Sequence, residues 1–199
     1  YNIRSLAVEV NGTRCLTTKG VKQITSPSDL KGVKIRSMEA QVWQDVITAL
    51  GGTPIPVSFS ELYMALQTGV VNGQDNPISV TYANKLYEVA DYIYRTDHCY
   101  NTSMWLINPD AYDALDEEDR ALFDSLVEKY IHGQYRDEMG AYTEKAVADI
   151  ESSGCQIIDS SEFDIQAFYD NAAQLIDEKY MTNDAYAPFI QEIRERYHY

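Results

Sequence analysis

The stretch from Leu30 to Pro77 constrains the fold more than any other part of this chain. It reads LKGVKIRSMEAQVWQDVITALGGTPIPVSFSELYMALQTGVVNGQDNP. Residues 33–36 read as a short strand that delivers Arg36 to a loop. Ser37 is placed to cap a helix running to about Leu50, with Val42, Val46, Ile47 and Leu50 on one face. Gly51-Gly52 stop it. Residues 53–57 are extended and carry two prolines, which suits a sheet edge. Ser58-Phe59-Ser60-Glu61 has the form of a capping box. It opens a helix to Thr68, with Leu62, Ala65 and Leu66 buried and Gly69 as its stop. Val70-Val71 read as a strand, followed by the polar cluster Asn72–Pro77. Strands alternating with helices predict an α/β fold with a mostly parallel sheet. In such sheets ligands sit beyond the carboxyl ends of strands. Arg36 lies at one such end, and Asn76 follows Val70-Val71 in the same way.

The flanks extend this pattern. Residues 5–10 read as a strand turning at Asn11-Gly12, with residues 13–18 returning and carrying Arg14. Residues 26–30 form a capped helical turn, 79–90 a helix and 102–108 a strand. Asn108 and Pro109 then form an N-cap and first-turn pair. From Asp116 to Gly154 the apolar period is helical. Leu122, Leu126, Tyr130, Ile131, Tyr135, Met139, Tyr142, Ala146 and Ile150 make a stripe that reads as core. Acidic residues open that helix, where its dipole favours them, and Gly133 and Gly140 are candidate bends. Residues 155–159 read as a strand, and 162–180 and 188–197 as helices.

Charge is distributed unevenly. Residues 1–100 hold nine basic and nine acidic side chains, whereas residues 101–199 hold seven basic and 22 acidic, which accounts for the net −15. A chain this acidic is a poor nucleic-acid binder, because phosphate contacts need clustered Lys and Arg. An anion site is tolerated electrostatically in the neutral first half. No run of eighteen apolar residues could span a membrane as a helix. The chain starts at Tyr1 without Met or a leader, as a processed or trimmed piece would. Cys15, Cys99 and Cys155 show no CxxC spacing, and buried free thiols are the simplest reading. His98 is expected to hydrogen-bond within the fold, and His132 and His198 to lie at the surface. The three histidines are too separated for a metal cluster, and no HExxH, G-x-S-x-G, P-loop or G-x-G-x-x-G motif occurs. Nothing nominates a nucleophile with its base, so no enzyme, cofactor or metal is expected.

Several separated motifs, in order, carry a family resemblance: NGTR at residues 11–14, then LKGVKIR, LGGTPIPVSFSELYMALQTGVVNGQDNP, and KLYEVADYIYRTDH. They resemble the solute-binding subunits of TRAP (tripartite ATP-independent periplasmic) transporters, of the dicarboxylate and sialic-acid-binding type. The resemblance implies a periplasmic-binding-protein type II-like lobe with a long lobe-spanning helix and C-terminal helices. Residues 1–114 would be the second ligand-binding lobe. Residues 115–199 would supply the long helix, a return strand and closing helices. The family's opening lobe has no counterpart in this sequence.

The implied function is capture of a small organic acid and its delivery to TRAP membrane subunits. The implied place is periplasmic or extracytoplasmic, secreted, with or without a lipid anchor. A ligand-sensing receptor module of the same fold is the alternative, and self-association or domain swapping is open if the first lobe is absent. Arg36 matches the family arginine that holds the ligand carboxylate, for which a guanidinium offers a planar fork; a structural ion pair is the competing role. Arg14 matches a second family arginine, against a solvated hairpin residue. Asn76 matches the asparagine of the GQENP motif, against a turn residue before Pro77. Phe59 matches an aromatic near the cleft, against a staple at a helix start. Glu39 stands where sialic-acid-binding members have asparagine. It either orients the arginine, meets a ligand amine or hydroxyl, or is an ordinary first-turn acid.

Overall fold

A computed structural model describes residues 2–197; His198, expected at the surface, lies outside them. The framework is a six-stranded mixed sheet built from β2 (Cys15–Thr18), β3 (Lys34–Ser37), β4 (Thr53–Pro56), β5 (Gly73–Asn76), β6 (Tyr92–Tyr94) and β8 (Gln156–Ile158), in the order β4-β3-β5-β2-β6-β8. The pairs β3–β4, β3–β5 and β6–β8 are parallel, and β2 runs antiparallel to both of its neighbours. The proline-bearing β4 is indeed an edge strand. A separate antiparallel ribbon pairs β1 (Arg4–Thr13) with β7 (Tyr100–Ile107).

Helices cover both faces of the sheet. Helices α1 (Gln41–Ala49) and α7 (Ile165–Leu175) bury Leu16, Ile35, Ile47, Leu50, Tyr94 and Phe168 on one side. On the other, α3 (Ile78–Ala83) and α6 (Tyr135–Ser152) enclose Cys15, Ile78, Ile93, Ala146, Ile150 and Cys155. Helix α2 (Leu62–Thr68) seals a third cluster of Leu62, Leu66, Val71, Leu86 and Val89. The strict alternation of Cys15/Leu16 and Ile93/Tyr94 between clusters is the period-two pleat of a strand buried on both faces. Gly69, at φ +78°, ends α2 with its N–H on the Leu66 carbonyl, as a left-handed cap requires. Helices α4 (Pro109–Asp113) and α5 (Glu117–Leu126) start on Asn108 and Asp116, whose side chains accept from the Asp110 and Asp119 amides.

Several expectations are corrected. Asn11-Gly12 does not reverse the chain: β1 runs through it, and Gly12, at φ +97°, marks a register shift against β7 instead. A positive-φ glycine can kink a strand without turning it. The strand predicted at Val70-Val71 lies three residues later, on the polar sequence Gly73–Asn76. Ser37 ends β3 rather than capping α1, which begins behind Ala40. Residues 79–90 are α3 plus a short 3-10 turn at Leu86–Val89, separated by Lys85 at φ 55°. At Ser58 the box closes side chain to side chain, Oγ to Glu61 Oε2 at 2.5 Å, with no side-chain bond to the backbone.

The helix from Glu117 to Ser152 is continuous, with a π stretch at Val127–Gln134 that contains Gly133. Its stripe is core only at the C-terminal end. Ala146 and Ile150 are fully buried, whereas Leu122, Leu126, Tyr130 and Tyr142 are exposed. The cause is geometric: α6 lies on the six-stranded sheet against α3 and β8, while the π stretch packs beside β1 of the two-stranded ribbon. Cys15 and Cys155 are buried free thiols, and Cys99 is half-buried and free.

Candidate functional site

The carboxyl ends of the parallel neighbours β3 and β5 lie side by side, and the start of the antiparallel β2 joins them there, with Cys15 opposite Asn76. Arg14, Arg36, Asp75 and Asn76 are therefore brought to one edge of the sheet, and all four are buried. The pleat then sorts them. Ile35 packs among α1 and α7, so Arg36, the next residue, projects from the other face, shared with Gln74 and Asn76. Asp75 and Arg14 project towards α1.

Arg14 is fully committed. Its Nε donates to Asp75 Oδ2 at 2.6 Å, Nη2 to the Asp75 carbonyl at 2.5 Å and Nη1 to Asn101 Oδ1 at 2.9 Å. Its guanidinium lies 4.8 Å from the centre of the Trp43 ring. His98 completes the cluster: Nδ1 is 2.8 Å from Thr96 Oγ1, and Nε2 is 3.4 Å from Asp75 Oδ2. Burial works against the Asp75 charge. The hydrogen bonds from His98 and Arg14, and the Arg14 charge, outweigh it and hold the carboxyl down at about 2.

Arg36 is arranged differently. Only 4% exposed, it donates from Nε to the Val57 carbonyl at 2.8 Å and stands 5.8 Å from the centre of the Phe59 ring. Among the described residues it has no ion-pair partner, and no other hydrogen bond engages its two Nη groups. Burial lowers its pKa, the Asp75 carboxylate opposes that shift, and the Arg14 charge adds to it. The end-on fork of Arg36 is thus left open for a planar anion.

Asn76 gives one amide hydrogen to Gln74 Oε1 at 2.6 Å. Gln74 is anchored in turn on Thr17 Oγ1 at 2.8 Å and Thr81 Oγ1 at 3.2 Å. Phe59, 44% exposed, offers a ring face beside Arg36. Glu39 is exposed and makes no ion pair with Arg36; its backbone carbonyl accepts from Gln44 Nε2 at 2.9 Å. Ser37 Oγ, one residue beyond Arg36, is buried without a partner. Behind the Arg14 side, a cavity of about 280 Å³ runs between α1 and α7, lined by Val42, Val46, Leu50, Phe168 and Leu175 and reaching His98 and Cys99.

Sequence reasoning singles out Arg14, Arg36, Asn76, Phe59 and Glu39 but not Asp75, Asn101 or Trp43; His98 hydrogen-bonds within the fold, as expected. One signal was available. Gly73-Gln74-Asp75-Asn76 is a wholly buried strand in the sheet interior with no apolar side chain, and a run that defies core chemistry marks a site.

An α/β lobe that holds a buried, open guanidinium at the carboxyl edge of its strands has the layout of a ligand-binding lobe. The chain belongs to the DctP family, bacterial extracellular solute-binding protein family 7, whose defining pattern matches residues 1–183. It is 32% identical over 186 residues to the ectoine/5-hydroxyectoine-binding periplasmic protein UehA of Ruegeria pomeroyi, covering 92% of this chain and 54% of that protein. It is 35% identical over 129 residues to the sialic acid-binding periplasmic protein SiaP of Vibrio cholerae, covering 65% of this chain and 40% of that one.

Among solved structures, the ectoine-binding protein of the TeaABC TRAP transporter of Halomonas elongata superposes with a TM-score of 0.81 at 28% identity, over 98% of this chain and 63% of that one. A TRAP periplasmic solute-binding protein of Roseobacter denitrificans with bound β-D-glucuronate gives 0.82 at 25% identity, over 96% and 62%. The fold is the type II-like α/β fold of the TRAP periplasmic binding proteins. The chain spans about half the length of the curated relatives it matches.

Proposed function

We propose that this chain is the arginine-bearing lobe of an extracytoplasmic protein that captures a small organic acid and hands it to TRAP membrane subunits. In this reading residues 1–114 form the lobe, and residues 115–199 supply the long helix and the closing helices that pack on both lobes. The observation that supports it is Arg36: buried, without an ion-pair partner among the described residues, and held by Nε on the Val57 carbonyl with no other hydrogen bond on its Nη groups. A carboxylate accepting two parallel N–H bonds there gains charge-assisted pairing with a guanidinium that is itself buried.

Asn76 adds an amide that can donate and accept. Phe59 covers one side of the ligand. Arg14 acts at one remove: locked to Asp75, it orders the strand edge beside Arg36 without offering its own fork. Glu39, exposed near the same edge, meets a ligand hydroxyl or amine rather than orienting Arg36. The ligand class fits the relatives, whose names record ectoine, sialic acid and glucuronate. Binding and release here need no covalent step, so the protein works as a carrier and not as an enzyme. Lobe closure biased by ligand contacts would present the loaded form to the membrane partner.

Titration calorimetry on the full-length protein, with a panel of sugar acids, keto acids, dicarboxylates and ectoine, tests the reading. At least one carboxylate should bind, and Arg36→Ala should weaken it by about a hundredfold, or about 3 kcal/mol. Arg36→Lys should restore little, because an ammonium is a point charge without the planar fork. Unchanged affinity in Arg36→Ala would sink the assignment.

A further inference from the structure

The opposite, amino edge of the sheet carries a second charged surface. The end of β2, the start of β3 and Asn72 meet there: the Lys19 amide donates to the Asn72 carbonyl, and the Asn72 amide to the Lys34 carbonyl. This edge is about 10 Å from the Arg36 end, three strand residues at about 3.3 Å each. Between β2 and β3 the chain loops through Gly20–Gly32 around an open basin of about 550 Å³, lined in part by Lys22, Gln23, Thr25, Asp29, Lys31 and Asn72.

The charges of this region are unlike those of the rest of the chain. Lys19, Lys22, Lys31 and Lys34 stand against two nearby acids, Asp29 and Asp91, in a protein of net −15. Both acids are held by hydrogen bonds from neutral donors and keep their charge, so the four lysines still outnumber them. Asp29 Oδ2 accepts from the Thr25 amide, Thr25 Oγ1 and the Ser26 amide, and Asp91 Oδ2 accepts from the Gly20 amide at 2.6 Å. Lys19 is held in place by the Leu66 and Gln67 carbonyls that end α2. Lys22, Lys31 and Lys34 are exposed and, among the described residues, make neither an ion pair nor a side-chain hydrogen bond. Gly20 and Gly32 leave open space where a side chain would stand.

We propose that this basin docks a carboxylate-rich loop of a partner protein. Unpaired ammonium groups around a concavity, interleaved with the Gln23 and Asn72 amides and the Thr25 hydroxyl, fit carboxylates on a narrow segment. A lipid surface fits less well. An anionic bilayer is broad and flat, so it does not enter a concavity lined by Lys22, Lys31 and Asn72. A protein loop is narrow enough to enter it. The basin and the solute site sit on opposite edges of one sheet, so both can be filled together.

Amide NMR on the whole chain tests this, with a capped synthetic peptide of alternating glutamate and glycine as the probe. Saturable shifts are expected at Gly20, Lys22, Lys31 and Gly32, fading between about 50 and 300 mM salt. Lys22→Glu combined with Lys31→Glu should weaken binding roughly tenfold or more, and the gentler pair Lys22→Gln and Lys31→Gln should weaken it less. Arg36→Ala should leave peptide binding unchanged, which separates this proposal from the solute-site reading. Shifts scattered over the surface, or insensitive to the lysine changes, would overturn it. So would binding to phosphatidylglycerol vesicles without binding to the peptide, or self-association of the chain that the lysine reversals abolish.

Discussion

Arg14 and Arg36 show how two identical side chains on one sheet edge acquire different roles. Each is buried, yet Arg14 is neutralised in place by Asp75 while Arg36 is not. Asp75 therefore does two things: it fixes Arg14 through Nε and the backbone carbonyl, and it supports the Arg36 charge from a distance. Asp75→Asn leaves a buried guanidinium without its counter-charge, and losing one partner of such a pair costs about 3–5 kcal/mol. A urea melt should show that loss, and solute affinity should fall with it.

The pH dependence follows from the same residue. The folded pKa of about 2 lies below the ordinary 3.8, so the unfolded chain binds the proton first. This stabilisation is complete above about pH 4 and disappears as pH drops towards about 2. Acid titration of the thermal midpoint should show that slope, and Asp75→Asn should flatten it.

At the scale of elements, β5 decides where everything else goes. It is central, short and polar, and it tolerates no side chain at its first residue. A Cβ on Gly73 would come within 2.4 Å of the Thr17 carbonyl oxygen and 2.7 Å of Ile35 Cδ1. Gly73→Ala should therefore push β5 away from β2 and β3, lowering the thermal midpoint by an amount comparable with a core overpacking change of about 1–3 kcal/mol. The polar composition of β5 is also why the strand lies off the position that propensity predicts: propensity favours Val70-Val71, but Val71 fills the α2 cluster from a loop while Gln74 and Asn76 satisfy one another and Thr17.

A second element-level contact ties the C-terminal helices to the lobe. Asp45, buried on α1, accepts from Lys179 Nζ, Tyr180 Oη and Gln41 Nε2. Burial pushes Tyr180 up to about 12, with the Asp45 hydrogen bond and charge adding to it. Removing the acceptor in Asp45→Ala should cost about 2 kcal/mol, and hydrogen exchange should quicken over the π turn Ile176–Tyr180 while the sheet stays protected.

At the scale of the whole molecule, the six-stranded sheet is covered on both faces, whereas one face of the β1–β7 ribbon is not. Val8 lies opposite Met104, and these two with Val10 and Leu106 are all more than half exposed. An apolar stripe of this kind favours association. The 199-residue chain should therefore elute larger than a monomer at raised concentration, and Val8→Ser with Met104→Ser should shift it back, as read by light scattering.

The sequence alone determined the α/β class, the edge position of β4, the caps at Gly69 and Asn108, the family likeness and the arginine at a strand end. Each of these is written in local spacing or in a turn residue whose backbone preference is intrinsic. Tertiary structure alone decided that β1 leaves the main sheet, that the strand of the polar cluster is Gly73–Asn76, and that the long helix is core only near its end. It also assigned Asp75 to Arg14 and left Arg36 open. Those outcomes depend on which groups meet far along the chain, from 21 residues apart at Arg36 and Val57 to 61 at Arg14 and Asp75, and a side chain's partner, unlike its propensity, is not encoded in its neighbours.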